Sequence, residues 1–340
     1  MRHPGLAARA LIVAATLGVL AVACSSRPSG EVRIPRGAGG IGFLPLLVME
    51  KHGLVEKHAR EAGIADLQVR WIELGGPSVL NDALLSGAAD FVAAGPPAFI
   101  TLWDRTASSL AVKGAAAMTS LPMYLNTRAE HLRTVDDLRE GDKVAVTAIK
   151  VSIPAIAMQM HAAAKYGADQ ASRFDRYTVN MTHPDGVIAL LSGGAGVSAH
   201  FTSPPFHQRE RKDPTVRTIM TTDDVMGGAT TFTMLSTTTK FREEQPEIYG
   251  AVLKALEEAN ARIVADRRAA AELLLGAAGE GGFTLDELVA VLEDPQIAFT
   301  TTPQNVKKYA DFMHQIGSIK NQPAAWTDMF FPDIHGVPGS

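Results

Sequence analysis

The chain has 340 residues, 46% of them hydrophobic and 20% charged, with a formal net charge of −4. That length and balance suit a globular protein with a full core and room for two lobes, and 30 Gly with 19 Pro imply many tight turns. An aromatic content of 6% and the lack of any long basic run argue against a nucleic-acid partner or a base-stacking surface.

Residues 1–24 read as a targeting segment. Arg2 and Arg9 supply positive charge, Ala10–Val22 is an apolar run, and Ala21-Val22-Ala23 precede the single cysteine, Cys24. The uncharged stretch from Ala10 to Ser26 is 17 residues, slightly short for a spanning helix; an uncleaved anchor helix is the competing reading. One thiol cannot form a disulfide within the chain. Loss of Arg2 and Arg9 would take the balance from 32 − 36 to 30 − 36, or −6.

A first block then alternates strand and helix. Val32–Arg36 is a short strand, followed by a glycine-rich turn over Gly37–Gly42 and a helix opened by Pro45 and stopped near His52-Gly53. Gln68–Leu74 is a strand, and Gly75-Gly76-Pro77-Ser78 turns into a helix that Gly87 ends. Asp90–Ala94 is the third strand, and Gly95-Pro96-Pro97 leads into a helix over Ala98–Asp104. This is the rhythm of a doubly wound parallel sheet.

A second block repeats the order. Lys143–Ile149 is a strand, Ser152-Ile153-Pro154 opens a helix, and Arg176–Asn180 is the next strand. His183-Pro184-Asp185-Gly186 is read as a turn, Val187–Ser192 as a helix and Val197–Phe201 as the third strand. Between the blocks, strands at Thr119–Pro122 and Met123–Asn126 form the first crossing from lobe to lobe, and Ala229–Thr237 is the return strand. The remainder is helical, with starts at Gln245-Pro246-Glu247, at the capping box Thr284–Glu287 and at Thr302-Pro303. The tail, 318–340, carries Trp326, Phe330 and Phe331 as a strap over a lobe.

One pattern ties the blocks together. Ala83–Gly87 and Ala189–Gly193 are the same five residues, ALLSG, and each is followed by a Pro-Pro with Phe just beyond. Their starts are 189 − 83 = 106 residues apart, far beyond a solenoid period and about the size of one α/β lobe.

Several motifs compete for the functional assignment. Gly37–Gly42 fits G-x-G-x-x-G, but Arg33, Pro35 and Arg36 suit a buried central strand poorly. The acid ending the second strand, Glu73, lies 36 residues after Gly37, where about 20 is expected of a dinucleotide site. Ser198 in Gly196–His200 is mid-strand and lacks the exposed position of a nucleophile elbow. The ten histidines show neither H-E-x-x-H nor a cluster with carboxylates, so no metal and no cofactor are expected.

The remaining candidates are helix N-termini at the carboxyl ends of the parallel strands, where open α/β sheets bind ligands and where free N–H groups favour small anions. In the first block these are Gly40, Ile41, Gly42 and Phe43, then Gly76 and Ser78, then Gly95 and Pro96. In the second they are Ser152 and Ile153, then the Pro184–Gly186 turn, then His200, Thr202, Ser203 and Pro204, with Ser120 on the crossing between the lobes. Lys150 could add charge.

These residues carry a family resemblance. Gly40, Pro45 and Lys51-His52-Gly53, then Gly75–Phe91, Gly95–Phe99, Val146–Ile156 and Ala189–Phe206 together resemble ABC-transporter solute-binding proteins of the nitrate/sulfonate/taurine type, over about Val32 to Ile263. The resemblance implies an α/β fold of two doubly wound lobes joined by two crossing segments, the type II periplasmic-binding-protein fold. It implies a monomer, not an enzyme, that closes on a small solute such as an anion or organosulfonate and presents it to a permease with its ATPase. Leu20–Cys24 looks like a lipoprotein cleavage box, which implies lipidation of Cys24 and a membrane tether outside the cytoplasm, on the periplasmic side.

The expected layout is a signal peptide over 1–23, a linker over 24–30, lobe 1 over 31–120, lobe 2 over 121–238, and a helical return with its strap over 239–340. Gly194-Ala195-Gly196 departs from the family where the first corner keeps Asp90, so ligand identity does not transfer. Two other readings stay open: an enzyme on the same fold, as in synthesis of the thiamine pyrimidine precursor, and a dinucleotide-dependent oxidoreductase using Gly37–Gly42.

Overall fold

The computed structural model of the chain describes residues 30–37, 39–74, 77–193, 196–278 and 282–340, with residues 77, 78 and 278 described by backbone alone. The expected signal peptide, Cys24 and most of the 24–30 linker lie outside the described residues.

The first block follows the expected rhythm. β1 (Glu31–Pro35) leads through a 3-10 turn, Ile41–Phe43, into α1 (Leu44–Lys51) and α2 (Leu54–Glu61). Then come β2 (Gln68–Ile72), α3 (Pro77–Leu85), β3 (Phe91–Ala94), α4 (Pro96–Thr106) and β4 (Val112–Ser120). The second block runs β5 (Tyr124–Thr127), β6 (Val144–Val146), α5 (Ile153–Tyr166), β7 (Thr178–Asn180) and α6 (His183–Ser192). It continues with β8 (Ala199–Thr202), α7 (Phe206–Arg211), β9 (Arg217–Thr221) and α8 (Thr222–Met226). The chain returns through β10 (Thr231–Thr238) to α9 (Thr239–Glu244), α10 (Pro246–Ala265), α11 (Arg267–Ala278), α12 (Leu285–Leu292), β11 (Ala298–Phe299) and α13 (Val306–Gln315).

The strand pairing explains the repeat. β1 and β2 pair in parallel, and the Asp90 amide donates to the Arg33 carbonyl at 2.9 Å, which seats β3 beside β1. β3 continues into a four-stranded sheet of order β11-β4-β10-β3, and the second block forms a five-stranded sheet of order β7-β6-β8-β5-β9. In each case a strand that crosses from the other sheet is wedged, antiparallel, beside the third strand of the block. β10 lies between β3 and β4, with Leu235 opposite Ala93; β5 lies between β8 and β9, with Leu125 opposite Phe201. The return strand therefore belongs to the sheet of the first block, so the last strand of the 121–238 span does not pair with the others in that span.

The two ALLSG corners are scaffolding in both halves. Ala83 and Leu84 are buried in a small cluster with Val92 and Leu102, and Ala189 is buried with Ala145 and Val197. Each helix ends at a glycine in the left-handed region, Gly87 at φ 73° and Gly193 at φ 68°, a conformation that a Cβ disfavours.

Four sequence expectations are corrected. β1 is not unsuited to a central place: the nearly buried Asp90 accepts from the Arg33 amide at 2.8 Å and from its guanidinium at 3.2 and 3.3 Å, so the charge enters the sheet paired. His183–Gly186 is the first turn of α6, because Thr182 caps that helix by accepting from the Asp185 amide at 3.3 Å and Pro184 fits the first turn. The last long helix, α13, starts at Val306 and not at Thr302-Pro303. Gln304 and Thr231 exchange bonds of 3.0 and 2.8 Å, which ties that stretch to the start of β10 before the helix opens. Finally, α2, α7, α8, α9 and α11 are helices that no sequence signal singled out; the buried Leu54, Val55 and Ala59 of α2 pack toward α10. The C-terminal strap docks on β4: Phe330 is fully buried beside Phe99, and the Phe331 amide donates to the Gly114 carbonyl at 2.9 Å.

Candidate functional site

A cavity of about 80 Å³ lies between the two sheets, at the helix N-termini. From the first side come Gly39, Phe43, Leu80, the β3 end Ala93-Ala94-Gly95, and Phe232 with Thr233 on the return strand. From the second come Thr147 after β6, Val151–Pro154 at the start of α5, His183 at the start of α6, and Ser203 after β8, with Met123 on the crossing. The volume is below the roughly 150 Å³ that accepts a benzene ring, so the gap as it stands takes a group of only a few heavy atoms.

Glycines set how closely the walls approach. A Cβ on Gly42 would fall 2.1 Å from the Phe232 ring, and one on Gly95 would fall 2.9 Å from Ile153 Cδ1. The second contact is between the two halves, so the sheets meet beside the cavity with Gly95 against Ile153. Thr233 fixes the back wall: its hydroxyl donates to the Gly42 carbonyl at 2.6 Å and lies 2.7 Å from Thr119 Oγ1.

The helix N-termini are less open to an anion than their positions suggest. α4 begins with Pro96 and Pro97, which have no N–H, and the Phe99 amide already donates to the Gly95 carbonyl at 3.2 Å. In α5, Pro154 removes one donor, while Ser152 takes the Ala155 amide with its hydroxyl at 3.4 Å and the Ile156 amide with its carbonyl at 3.0 Å. In α6, Pro184 removes one and Thr182 takes the Asp185 and Gly186 amides. Prolines and caps leave the Ala98, Ile153 and His183 amides as the donors inside these three first turns that have no intrahelical partner. Among the described lining residues there is no lysine or arginine. An ion buried without a charged partner costs several kcal/mol, which neutral donors alone would have to offset.

Behind the wall is a buried polar chain. His183 Nδ1 lies 3.3 Å from both His200 Nε2 and Thr202 Oγ1. His200, 1% exposed, donates from Nδ1 to Oε1 of the fully buried Glu210 at 2.5 Å. Asn126 donates to the other Glu210 oxygen at 2.8 Å and accepts from Thr218 at 2.7 Å. The carboxylate orients His200, and His200 in turn orients the imidazole that reaches the cavity. Burial, with a smaller electrostatic contribution from the neighbouring His200, lowers the pKa of His183 to about 3, so it is neutral at physiological pH. His207, stacked on Tyr124 at 3.7 Å, is lowered to about 4, again mainly by burial.

Of the residues singled out from the sequence, Phe43, Gly95, Ser152, Ile153 and Ser203 line the cavity. Gly40, Ile41, Gly42, Pro96, Ser120, His200, Thr202 and Pro204 do not. Ile41 is in the core, Ser120 donates its hydroxyl to the Thr230 carbonyl at 2.8 Å, and Thr202 with His200 stands behind His183. Gly76 and the Ser78 side chain lie outside the described residues. Lys150 is exposed and is not among the lining residues. Sequence reasoning passed over His183, Met123, Phe232 and, at the end of β3, Ala93 and Ala94. Only His183 had a usable signal, a Thr-His-Pro-Asp string with the cap and proline of a helix start. Among the described residues no group of three His, Cys, Asp or Glu side chains is placed to hold a metal ion.

With β1 and β2 seated on β3, the order β2-β1-β3-β10-β4 in the first half matches β7-β6-β8-β5-β9 in the second, each invaded by a strand from the other, the arrangement of the periplasmic-binding-protein fold. No family model and no curated protein matches the chain. Solved structures do. The alkanesulfonate-binding protein SsuA from Xanthomonas axonopodis pv. citri, bound to MOPS, aligns with a TM-score of 0.62 at 15% identity, over 86% of this chain and 95% of that one. The nitrate-binding protein NrtA from Synechocystis PCC 6803 aligns at 0.61 and 12% identity, over 88% and 83%. A Candida albicans gene product described as exhibiting the generic periplasmic binding protein structural fold aligns at 0.59 and 13%, over 87% and 97%.

Proposed function

We propose that this chain is the extracytoplasmic solute-binding component of an ATP-driven importer, a non-enzymatic protein that holds a small solute between two lobes and hands it to a membrane permease. The observation that supports this most is the position of the cavity. It is lined from both sheets, and the halves touch beside it through Gly95 and Ile153, an arrangement that a hinge on the two crossings would open and close. The structural neighbours include proteins named for binding alkanesulfonate and nitrate, which supports solute binding by analogy of fold.

The lobes in this reading are 31–120 with the helical return 239–340, and the stretch from 121 to 238 whose last strand re-enters the first sheet. A lipid at Cys24 would hold the protein at the membrane surface, and no helix among the described residues is long and apolar enough to cross it. The protein lacking residues 1–24 should become more compact by X-ray scattering when a metabolite extract containing its solute is added; an unchanged radius across such extracts would count against a closing hinge. A melting shift produced by NADH but by no small solute would favour the oxidoreductase reading instead. For the anchor, Cys24→Ser should release the full-length protein from membranes of an expressing bacterium, and retention would point to an uncleaved apolar helix.

A further inference from the structure

We propose that the solute of this cavity is uncharged, a small molecule with an apolar body and a hydrogen-bonding head, and not an anion. This rests on the solute-binding reading and narrows it. Three separate observations carry it. The first is charge: no lysine or arginine lines the cavity among the described residues, and the nearby undescribed segments, 38 and 75–78, contain none by sequence. The second is the accounting of donors. Prolines and side-chain caps take up much of the first turns of α4, α5 and α6, where an oxyanion would need several N–H groups converging on it.

The third is the wall itself. Phe43, Leu80, Met123, Val151, Ile153 and Phe232 make most of it apolar. Two of its hydroxyls are committed to the protein, Ser152 to the Ala148 carbonyl at 2.6 Å and Thr233 to the Gly42 carbonyl at 2.6 Å. The other polar side chains are Thr147, Ser203 and His183, all able to hydrogen bond and none a permanent cation. The depressed basicity of His183 agrees with this, since a histidine serving an anion would be held protonated. A desolvated anion here would meet apolar surface and only neutral hydrogen-bonding groups, whereas a neutral solute loses less hydration on entry and gains the apolar contact.

The test uses matched probes of equal heavy-atom number that differ in charge: dimethyl sulfone against methanesulfonate, and isobutyramide against isobutyrate. Each is titrated by calorimetry and melting shift against the protein lacking residues 1–24, as wild type and as Lys150→Gln. The expected result is that the neutral member of each pair binds about tenfold or more tightly than its acid, with Lys150→Gln indistinguishable from wild type. Tighter binding of the acids overturns the proposal. So does acid binding that disappears in Lys150→Gln, since that places a cation in the site. Failure of both neutral probes to bind also counts against it. The solute-binding reading is judged separately: acids that bind and compact the protein leave it standing, while no compaction with any probe or extract removes it.

Discussion

Gly186 packs directly on His200: a Cβ at that position would fall 2.4 Å from His200 Nε2. Only glycine lets the first turn of α6 lie this close to the buried imidazole, and that closeness brings His183 to the cavity wall. Gly186→Ala should therefore push α6 outward or drive His200 off its bond to Glu210. Overpacking of this kind costs about 1–3 kcal/mol. Urea unfolding should show that loss; a variant as stable as wild type would mean that α6 shifts freely and does not fix His183.

Glu210 and His200 should behave as one unit. Both are essentially fully buried, and the bond between them is 2.5 Å. Removing one partner of a buried hydrogen-bonded pair leaves the other unsatisfied and costs about 1–3 kcal/mol. Glu210→Ala should show a loss of that order, and adding His200→Ala should cost much less than His200→Ala does alone. Simple additivity in this double-mutant cycle would show that the pair is not coupled.

How much of this could be read from the sequence depended on how local each feature is. Helix-opening prolines such as Pro45 and Pro154, the Thr284 capping box and the ALLSG stops are local chemistry, and each appears where expected. The pairing of β10 between β3 and β4 joins residues more than a hundred positions apart, and it is this pairing that carries Phe232 and Thr233 to the cavity. No motif near residue 232 announces that. Ser120 and Thr202 were reasonable candidates by position, yet their hydroxyls serve the Thr230 carbonyl and His183. The same string of prolines and caps that marks the helix starts also removes the free amides that made them look like anion sites.

Acid should destabilise the protein through its histidines. His183 and His207 have folded pKa values lowered to about 3 and about 4 from 6.5, so between those values and 6.5 the unfolded chain binds more protons than the folded one. Stability is then fully present above about pH 6.5 and falls as pH drops toward 4 and 3. Carboxylates also titrate in the lower part of that window, so the comparison is with His183→Asn/His207→Asn. The double variant should lose less stability between pH 7 and 5 than wild type does; equal slopes would show that neither histidine is held neutral by the fold.

Closure should be most sensitive at Gly95. Its φ of −71° and ψ of 157° are open to any residue, so a side chain there brings no backbone strain. What a side chain meets in the opposite half is Ile153, with Cδ1 at 2.9 Å and Cγ1 at 3.1 Å from a bare Cβ; the Phe232 carbonyl of its own half lies 3.3 Å away. The γ-methyls of valine would extend further into the same contact. Gly95→Val should thus hold the halves apart at a smaller cost in unfolding free energy, since the clash with Ile153 exists only while they meet. Scattering should report a larger radius than wild type, and whichever probe wild type binds should bind about tenfold or more weakly, the equivalent of about 1.4 kcal/mol against the closed state. A wild-type radius with wild-type affinity would mean that Ile153 simply turns aside and that this contact does not limit closure.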